Sequence, residues 1–94
     1  MAFTSKKRYN FSTKKWKKVG AVYGVFDSAG SVIYVGSTGN LKGRMAKHKS
    51  NKAHCIHSHG PSTVARELVP DKATRLKRES ELIDELHPPC NEAS

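Results

Sequence analysis

Four side chains in the first half of the chain could do chemistry together. Tyr23 and Tyr34 sit in two short apolar runs, and Arg44 and His48 follow at a spacing of four residues. Residues four apart lie on one face of a helix. Phenols and an imidazole can pass a proton, and a guanidinium can clamp the oxygens of an anion. A fifth group, Glu79, falls far along the chain, in a stretch whose apolar positions should face a core. A carboxylate on such a face needs a partner, because burying it alone is costly. The plainer reading of the same residues is structural. Tyrosines in adjacent strands often pack with their hydroxyls at the edge. Glu79 would then reach solvent at the helix edge or neutralise Arg44.

The elements that must position these groups follow from local patterning. Ala21–Asp27 and Ser31–Gly36 are rich in β-branched and aromatic residues and read as strands. Between them, Asp27-Ser28-Ala29-Gly30 is turn chemistry, with Gly30 free to take positive φ. The two tyrosines share a sheet face if paired position numbers add to an odd total. A simple three-residue turn does not give that register unless a bulge restores it. Ser37-Thr38-Gly39-Asn40 offers caps for a helix over Leu41–Lys49, with Leu41, Met45 and His48 inward and Arg44 at the border. Gly43 inside that helix costs up to ~1 kcal/mol against alanine, so a close approach to its backbone is expected. Ser62–Val69 alternates as a third strand ended by Pro70. Asp71 then caps a helix over Lys72–Leu86, stopped by Pro88-Pro89. Ala73, Leu76, Ile83 and Leu86, with Leu82 alongside, form its apolar stripe, and Glu79 fills the gap in it. Glu81, Asp84 and Glu85 fall elsewhere and should be solvated. The fold class is therefore α/β (α+β), a small three-stranded antiparallel sheet flanked by helices.

The 94 residues suffice for one small domain. No apolar run approaches the ~20 residues of a membrane span. No apolar segment follows the basic start, so no secretory signal is expected. Cys55 and Cys90 are too few for a disulfide framework, which predicts two free thiols and a reducing, cytoplasmic setting. The net charge of +9 is unevenly spread. Residues 1–20 hold seven Lys/Arg and no acid, whereas the remainder balances ten basic against eight acidic residues. Residues 1–19 thus read as a basic arm, with Tyr9, Phe11 and Trp16 interleaved. Such a segment suits a phosphate backbone plus stacking on bases. Lys6, Lys7, Arg8, Lys14, Lys15, Trp16, Lys17 and Lys18, with Lys42 from the first helix, are the candidate nucleic-acid contacts. The alternative is a solvated tail with Trp16 tucked against the core. His54, Cys55, His57 and His59 cluster in a stretch read as an ordinary polar loop, although such tracts can also hold zinc or copper.

The order and spacing of these motifs resemble the GIY-YIG nuclease domain. Its two signatures stand here as Ala21-Val22-Tyr23 and Tyr34-Val35-Gly36. Gly36-Ser37-Thr38, Asn40-Leu41, Arg44 and His48 are close to the family's wording. Ala21 replaces the family's glycine, a mild change in a strand. Glu79 stands three residues before Leu82-Ile83, where the family carries a metal-binding glutamate. Pro88-Pro89-Cys90-Asn91 matches its closing motif. The resemblance spans Gly20 to Asn91 and implies a nuclease domain over residues 20–94. It implies a metal-dependent DNA endonuclease leaving 5′-phosphate and 3′-hydroxyl ends. By this resemblance Tyr23 takes a proton from the attacking water, and Tyr34 and His48 orient or share the transfer. Arg44 clamps the phosphate, Glu79 holds Mg²⁺ or Mn²⁺, and Asn91 braces the site. A second reading is a non-catalytic nucleic-acid-binding module on the same fold, and a third is a zinc-dependent interaction domain using His54–His59. DNA is the implied partner, not a membrane. With no second DNA-binding domain, recognition of a long site would need a homodimer or a partner protein.

Overall fold

The structure, a computed structural model, describes residues 3–4 and 7–92. Its centre is a hairpin of β2 (Ala21–Phe26) and β3 (Val32–Thr38). The turn is closed by Asp27, whose carboxylate accepts from the amides of Ala29 and Ser31, while Gly30 adopts a φ of 86°. Tyr23 pairs with Gly36 and Val25 with Tyr34, and a bulge follows between Val25 and Phe26. The totals are odd, so both tyrosines project from one face, as the register argument requires.

Helix α1 (Leu41–Ser50) follows the hairpin, with Leu41, Met45 and His48 buried. A short 3-10 helix, Cys55–His59, leads to β4 (Thr63–Leu68), which pairs antiparallel with β2. Helix α2 (Lys72–Leu86) is capped by Asp71, whose side chain accepts from the Thr74 amide, and α3 (Pro89–Glu92) ends the described chain. Among the described residues no helix is long and apolar enough to cross a membrane. The sheet is sandwiched. Tyr23, Val25, Leu41, Met45, Ile56 and Val64 fill one side, and Val22, Val35, Ala65 and Leu82 fill the α2 side.

Four features correct the sequence reading. The sheet has four strands in the order β1-β4-β2-β3, because β1 (Tyr9–Asn10) adds to the edge of β4 through Tyr9–Val64 and Asn10–Thr63 pairs. Two residues in a basic stretch are too few to show alternation, so the pairing is set by the sheet edge that they meet. The aromatics of the arm belong largely to the core. Phe11 and Trp16 are each 7% exposed, and Trp16 packs against Tyr9 at 5.5 Å between ring centroids. Trp16 therefore anchors the arm and is not an open stacking platform. On α2, Ala73 and Leu76 are exposed, and the inward stripe in that half is carried by Arg75 and Arg78. Arg75 donates to the carbonyls of Val69 and Pro70, and Arg78 pairs with Glu67 at 2.9 Å. The first half of α2 thus lies over the polar rim of the sheet, where cations are more useful than apolar groups. Finally, Cys55 and Cys90 are not free thiols. They form a disulfide across 35 residues, because the 3-10 helix and α3 both pack against β3.

If Trp16 anchors the arm, Trp16→Ala should lower the unfolding free energy by about 3 kcal/mol. Denaturant unfolding measures this, and an unchanged midpoint would place the ring outside the core.

Candidate active site

The site is built around a buried phenol. Tyr23, on central strand β2, is fully inaccessible to solvent. A Cβ built at its partner Gly36 would come within 2.5 Å of the Tyr23 hydroxyl oxygen, so the ring occupies the space that a side chain would need. Its hydroxyl lies 2.7 Å from Nε2 of His48, itself 5% exposed.

His48 is delivered by α1, whose start is secured twice. Asn40 accepts from the Gly43 amide, and the carbonyls of Val19 and Lys17 accept from the amides of Leu41 and Lys42. The first-turn amides of a helix lack internal partners, and the basic arm supplies them. A Cβ at Gly43 would sit 2.9 Å from the Asn40 amide nitrogen, which is the close approach expected at that glycine.

Tyr34 completes an aromatic cluster, with its ring 6.2 Å from Tyr23 and 5.5 Å from His48. The fourth ring is His54, which sequence reasoning left in a polar loop. It meets Tyr34 edge-on at 5.1 Å and His48 at 4.9 Å. Its Nδ1 accepts from the Ile56 amide, which starts the 3-10 helix. His57 bonds the His48 carbonyl. The signal that could have found His54 was Ile56, an apolar residue in a polar tract that is fully buried and ties the loop to the core.

Electrostatics follow from this packing. Burial lowers the pKa of His48 to about 4, reinforced by His54, Arg44 and His57, so its imidazole is neutral at pH 7. Burial also lowers that of His54, again with help from His57. Burial raises the phenol of Tyr23 well above its usual range. Tyr34 adds to the rise, Arg44 opposes it, and Glu79 contributes a smaller upward push. Tyr34 is raised by burial, with Arg44 opposing and Glu79 adding. Arg44 and Glu79 are therefore close enough to act on both phenols.

Glu79 lies on the inward face of α2 and accepts from the Ser37 hydroxyl at 3.2 Å. Among the described residues no ion pair joins it to Arg44 or another cation. A partly buried carboxylate with one hydroxyl partner has oxygen lone pairs to spare. That suits a hard divalent cation, which binds through one or two carboxylates and keeps several waters. Glu81 is 52% exposed and lies 3.5 Å from Arg78, consistent with a surface role. Asn91 clamps the edge of β3 from both sides of its amide, accepting from the Val35 amide at 2.7 Å and donating to the Val35 carbonyl at 2.8 Å. It thereby fixes the strand segment next to Tyr34.

Two concavities carry basic residues, and the first of them includes Arg44. One of about 210 Å³ is lined by Thr38, Asn40, Gly43, Arg44 and Lys47. The other, of about 240 Å³, is lined by Lys7, Lys15, Lys17 and Arg66 around Tyr9 and Trp16. Lys14, Lys18 and Lys42 are exposed, as are Lys7 and Arg8, while Lys6 lies outside the described residues.

The model of the GIY-YIG catalytic domain matches residues 19–92. The chain belongs to the GIY-YIG family. No curated protein sequence matches it. Among solved structures it is similar to the GIY-YIG N-terminal endonuclease domain of UvrC from Thermotoga maritima bound to its catalytic magnesium. The identity is 18%, the TM-score 0.73, and the match covers 83% of this chain and 89% of that one. A tyrosine-to-phenylalanine variant of that domain, also with its catalytic divalent cation, matches at 21% identity and a TM-score of 0.70, covering 83% and 88%. An asparagine-to-alanine variant matches at 19% and 0.68, covering 82% and 87%. These likenesses establish the shared α+β fold.

The neutral buried imidazole makes stability depend on pH. His48 has a folded pKa of about 4 against an ordinary value of 6.5, so the unfolded chain binds its proton first as pH falls. Stability should be full above about pH 6.5 and decline toward pH 4. His48→Gln should flatten much of that decline in melting-temperature profiles. An equally steep decline in the variant would remove His48 as its source.

Proposed function

We propose that this protein is a DNA endonuclease that hydrolyses phosphodiester bonds with the help of Mg²⁺ or Mn²⁺, leaving 5′-phosphate and 3′-hydroxyl ends. The observation that carries this is the Tyr23–His48 pair at 2.7 Å, set within the influence of Arg44 and a Glu79 carboxylate that pairs with no cation among the described residues. A nuclease is also what the GIY-YIG family normally is, and the similar UvrC domains are endonucleases.

Hydrolysis forms a bond from water oxygen to phosphorus and breaks the bond from phosphorus to the 3′-oxygen. The attacking water must lose a proton, the departing 3′-oxygen must gain one from solvent, and the charge on the phosphoryl oxygens must be neutralised. Neutral His48, with its proton on Nδ1, accepts the Tyr23 hydroxyl proton at Nε2. The Tyr23 oxygen, which solvent does not reach in the free protein, can then take the proton of a water admitted with the substrate. Burial holds Tyr23 protonated when no substrate is present. Arg44 favours the phenolate and also presents a planar fork to the phosphate oxygens. Tyr34 and His54 wall the His48 ring and keep it desolvated. Asn91 holds β3 in place. A divalent cation on Glu79 would neutralise phosphoryl charge and help ionise the water. The arm's lysines and Lys42 contact the backbone of the DNA, which gives the affinity a steep salt dependence.

Glu79→Gln tests the assignment directly. It should abolish cleavage of DNA in Mg²⁺ or Mn²⁺ while the melting temperature stays near wild type, and Glu81→Gln should be nearly silent. Wild-type turnover in Glu79→Gln would end the metal assignment.

Arg44→Ala should lower turnover by about 10²–10³ while DNA affinity changes little, as expected for a donor that acts mainly in the transition state. Lysine should rescue poorly because it lacks the fork. Turnover, affinity and melting temperature are measured on the same variant. A large stability loss with near-normal turnover would make Arg44 structural.

A further inference from the structure

A second cluster of metal-ligating side chains lies apart from Glu79. Cys55 Sγ, Cys90 Sγ and a ring nitrogen of His59 all lie within 4.8 Å of one another. Cys55 and His59 form a Cys-x₃-His spacing at the two ends of the 3-10 helix, and Cys90 comes from α3. His59 is exposed, and its ring makes no hydrogen bond among the described residues. We infer that, when the two cysteines are reduced, Cys55, Cys90 and His59 bind one Zn²⁺.

The donor chemistry selects the metal. Two thiolates and an imidazole are a borderline-soft set that favours zinc, whereas the Glu79 oxygens suit magnesium or manganese. The two sites therefore divide two kinds of cation between them. The ligands come from segments 35 residues apart, so the fold supplies the second segment that the histidine tract lacks, and three protein ligands make the open, Cys₂His type of zinc site. Two thiolates also balance the charge of Zn²⁺, so the site needs no further acid. Water fills the fourth position.

The cysteine Cα atoms are 5.6 Å apart, so the exchange between disulfide and zinc site is local. A dithiol reductant donates two electrons and two protons, the S–S bond breaks, and the reductant becomes a disulfide. Zinc then displaces the two thiol protons, forming two Zn–S bonds and one Zn–N bond. The sulfurs separate to roughly 3.8 Å, the edge of a tetrahedron with ~2.3 Å Zn–S bonds.

The site has structural leverage because of its neighbours. Cys55 follows His54, which walls His48, and Cys90 precedes Asn91, which clamps Val35. Either cross-link, disulfide or zinc, ties both of these residues to one anchor.

The test uses untagged full-length protein reduced with a phosphine and handled without oxygen, with excess Mg²⁺ present to occupy Glu79. Metal content and competitive Zn²⁺ titration are measured, so the result does not depend on cleavage. One zinc per chain is expected in the reduced protein and none after oxidation. Cys55→Ser and Cys90→Ser should each lose it. His59→Gln keeps both cysteines, so its fold is checked in the disulfide form. Its reduced form should bind zinc at least about tenfold more weakly, since even outer partners of a metal site are worth that much. Cobalt in the reduced wild type should show thiolate charge-transfer absorption. Absence of zinc in the reduced wild type, wild-type affinity in His59→Gln, or loss of zinc in Glu79→Gln but not in the cysteine variants would overturn the assignment.

Discussion

The hydroxyl of Tyr23 is the constraint on which the rest of this structure depends. A fully buried phenol must find a hydrogen-bond partner or carry a desolvation penalty. Here the partner is His48, and meeting that need dictates several other choices. The facing residue on β3 must be glycine, because Gly36 leaves the space that the ring fills. Helix α1 must start where Asn40 and the arm's carbonyls hold it, so that its last full turn brings the imidazole to Tyr23. The imidazole must stay neutral, and burial among Tyr34 and His54 achieves this. The groups suited to move a proton are thus the same groups that close the core.

The basic arm carries two duties that would ordinarily conflict. Its aromatic residues face inward, and its lysines from Lys7 to Lys18 face out. Trp16 and Phe11 fix the segment against the α1 side of the sheet, while the carbonyls of Lys17 and Val19 complete the start of α1. This places positive charge next to the site on a backbone that is already ordered.

The edge of the sheet shows how the end of the chain supports its centre. Strand β3 pairs with β2 on one side and would leave a free row of amides and carbonyls on the other. Asn91 covers Val35 with a side-chain amide that mimics a strand residue. Cys90 and Cys55 link that cover to the 3-10 helix. Strand β3 is therefore fixed at its edge close to Tyr34.

Much of this protein was legible in the amino-acid order because it rests on local rules. The hairpin, its turn, the α1 start at Asn40 and the α2 bounds at Asp71 and Leu86 follow from side-chain alternation, caps and prolines within a few residues of each element. Spacing along α1 put Arg44 and His48 on one face, whereas the stripe that pointed to Glu79 was legible only in its Leu82–Leu86 half, since Ala73 and Leu76 are exposed. The family resemblance added Asn91, whose role cannot be seen in its own neighbourhood. What only the tertiary structure decided are contacts between segments far apart in the chain. The pairing of Tyr9–Asn10 with β4, the burial of Trp16, the arrival of His54 beside His48 and the meeting of Cys55 with Cys90 have no local signature. Each depends on which surfaces the sheet and helices leave uncovered once they have packed, and periodicity within one segment carries no information about that.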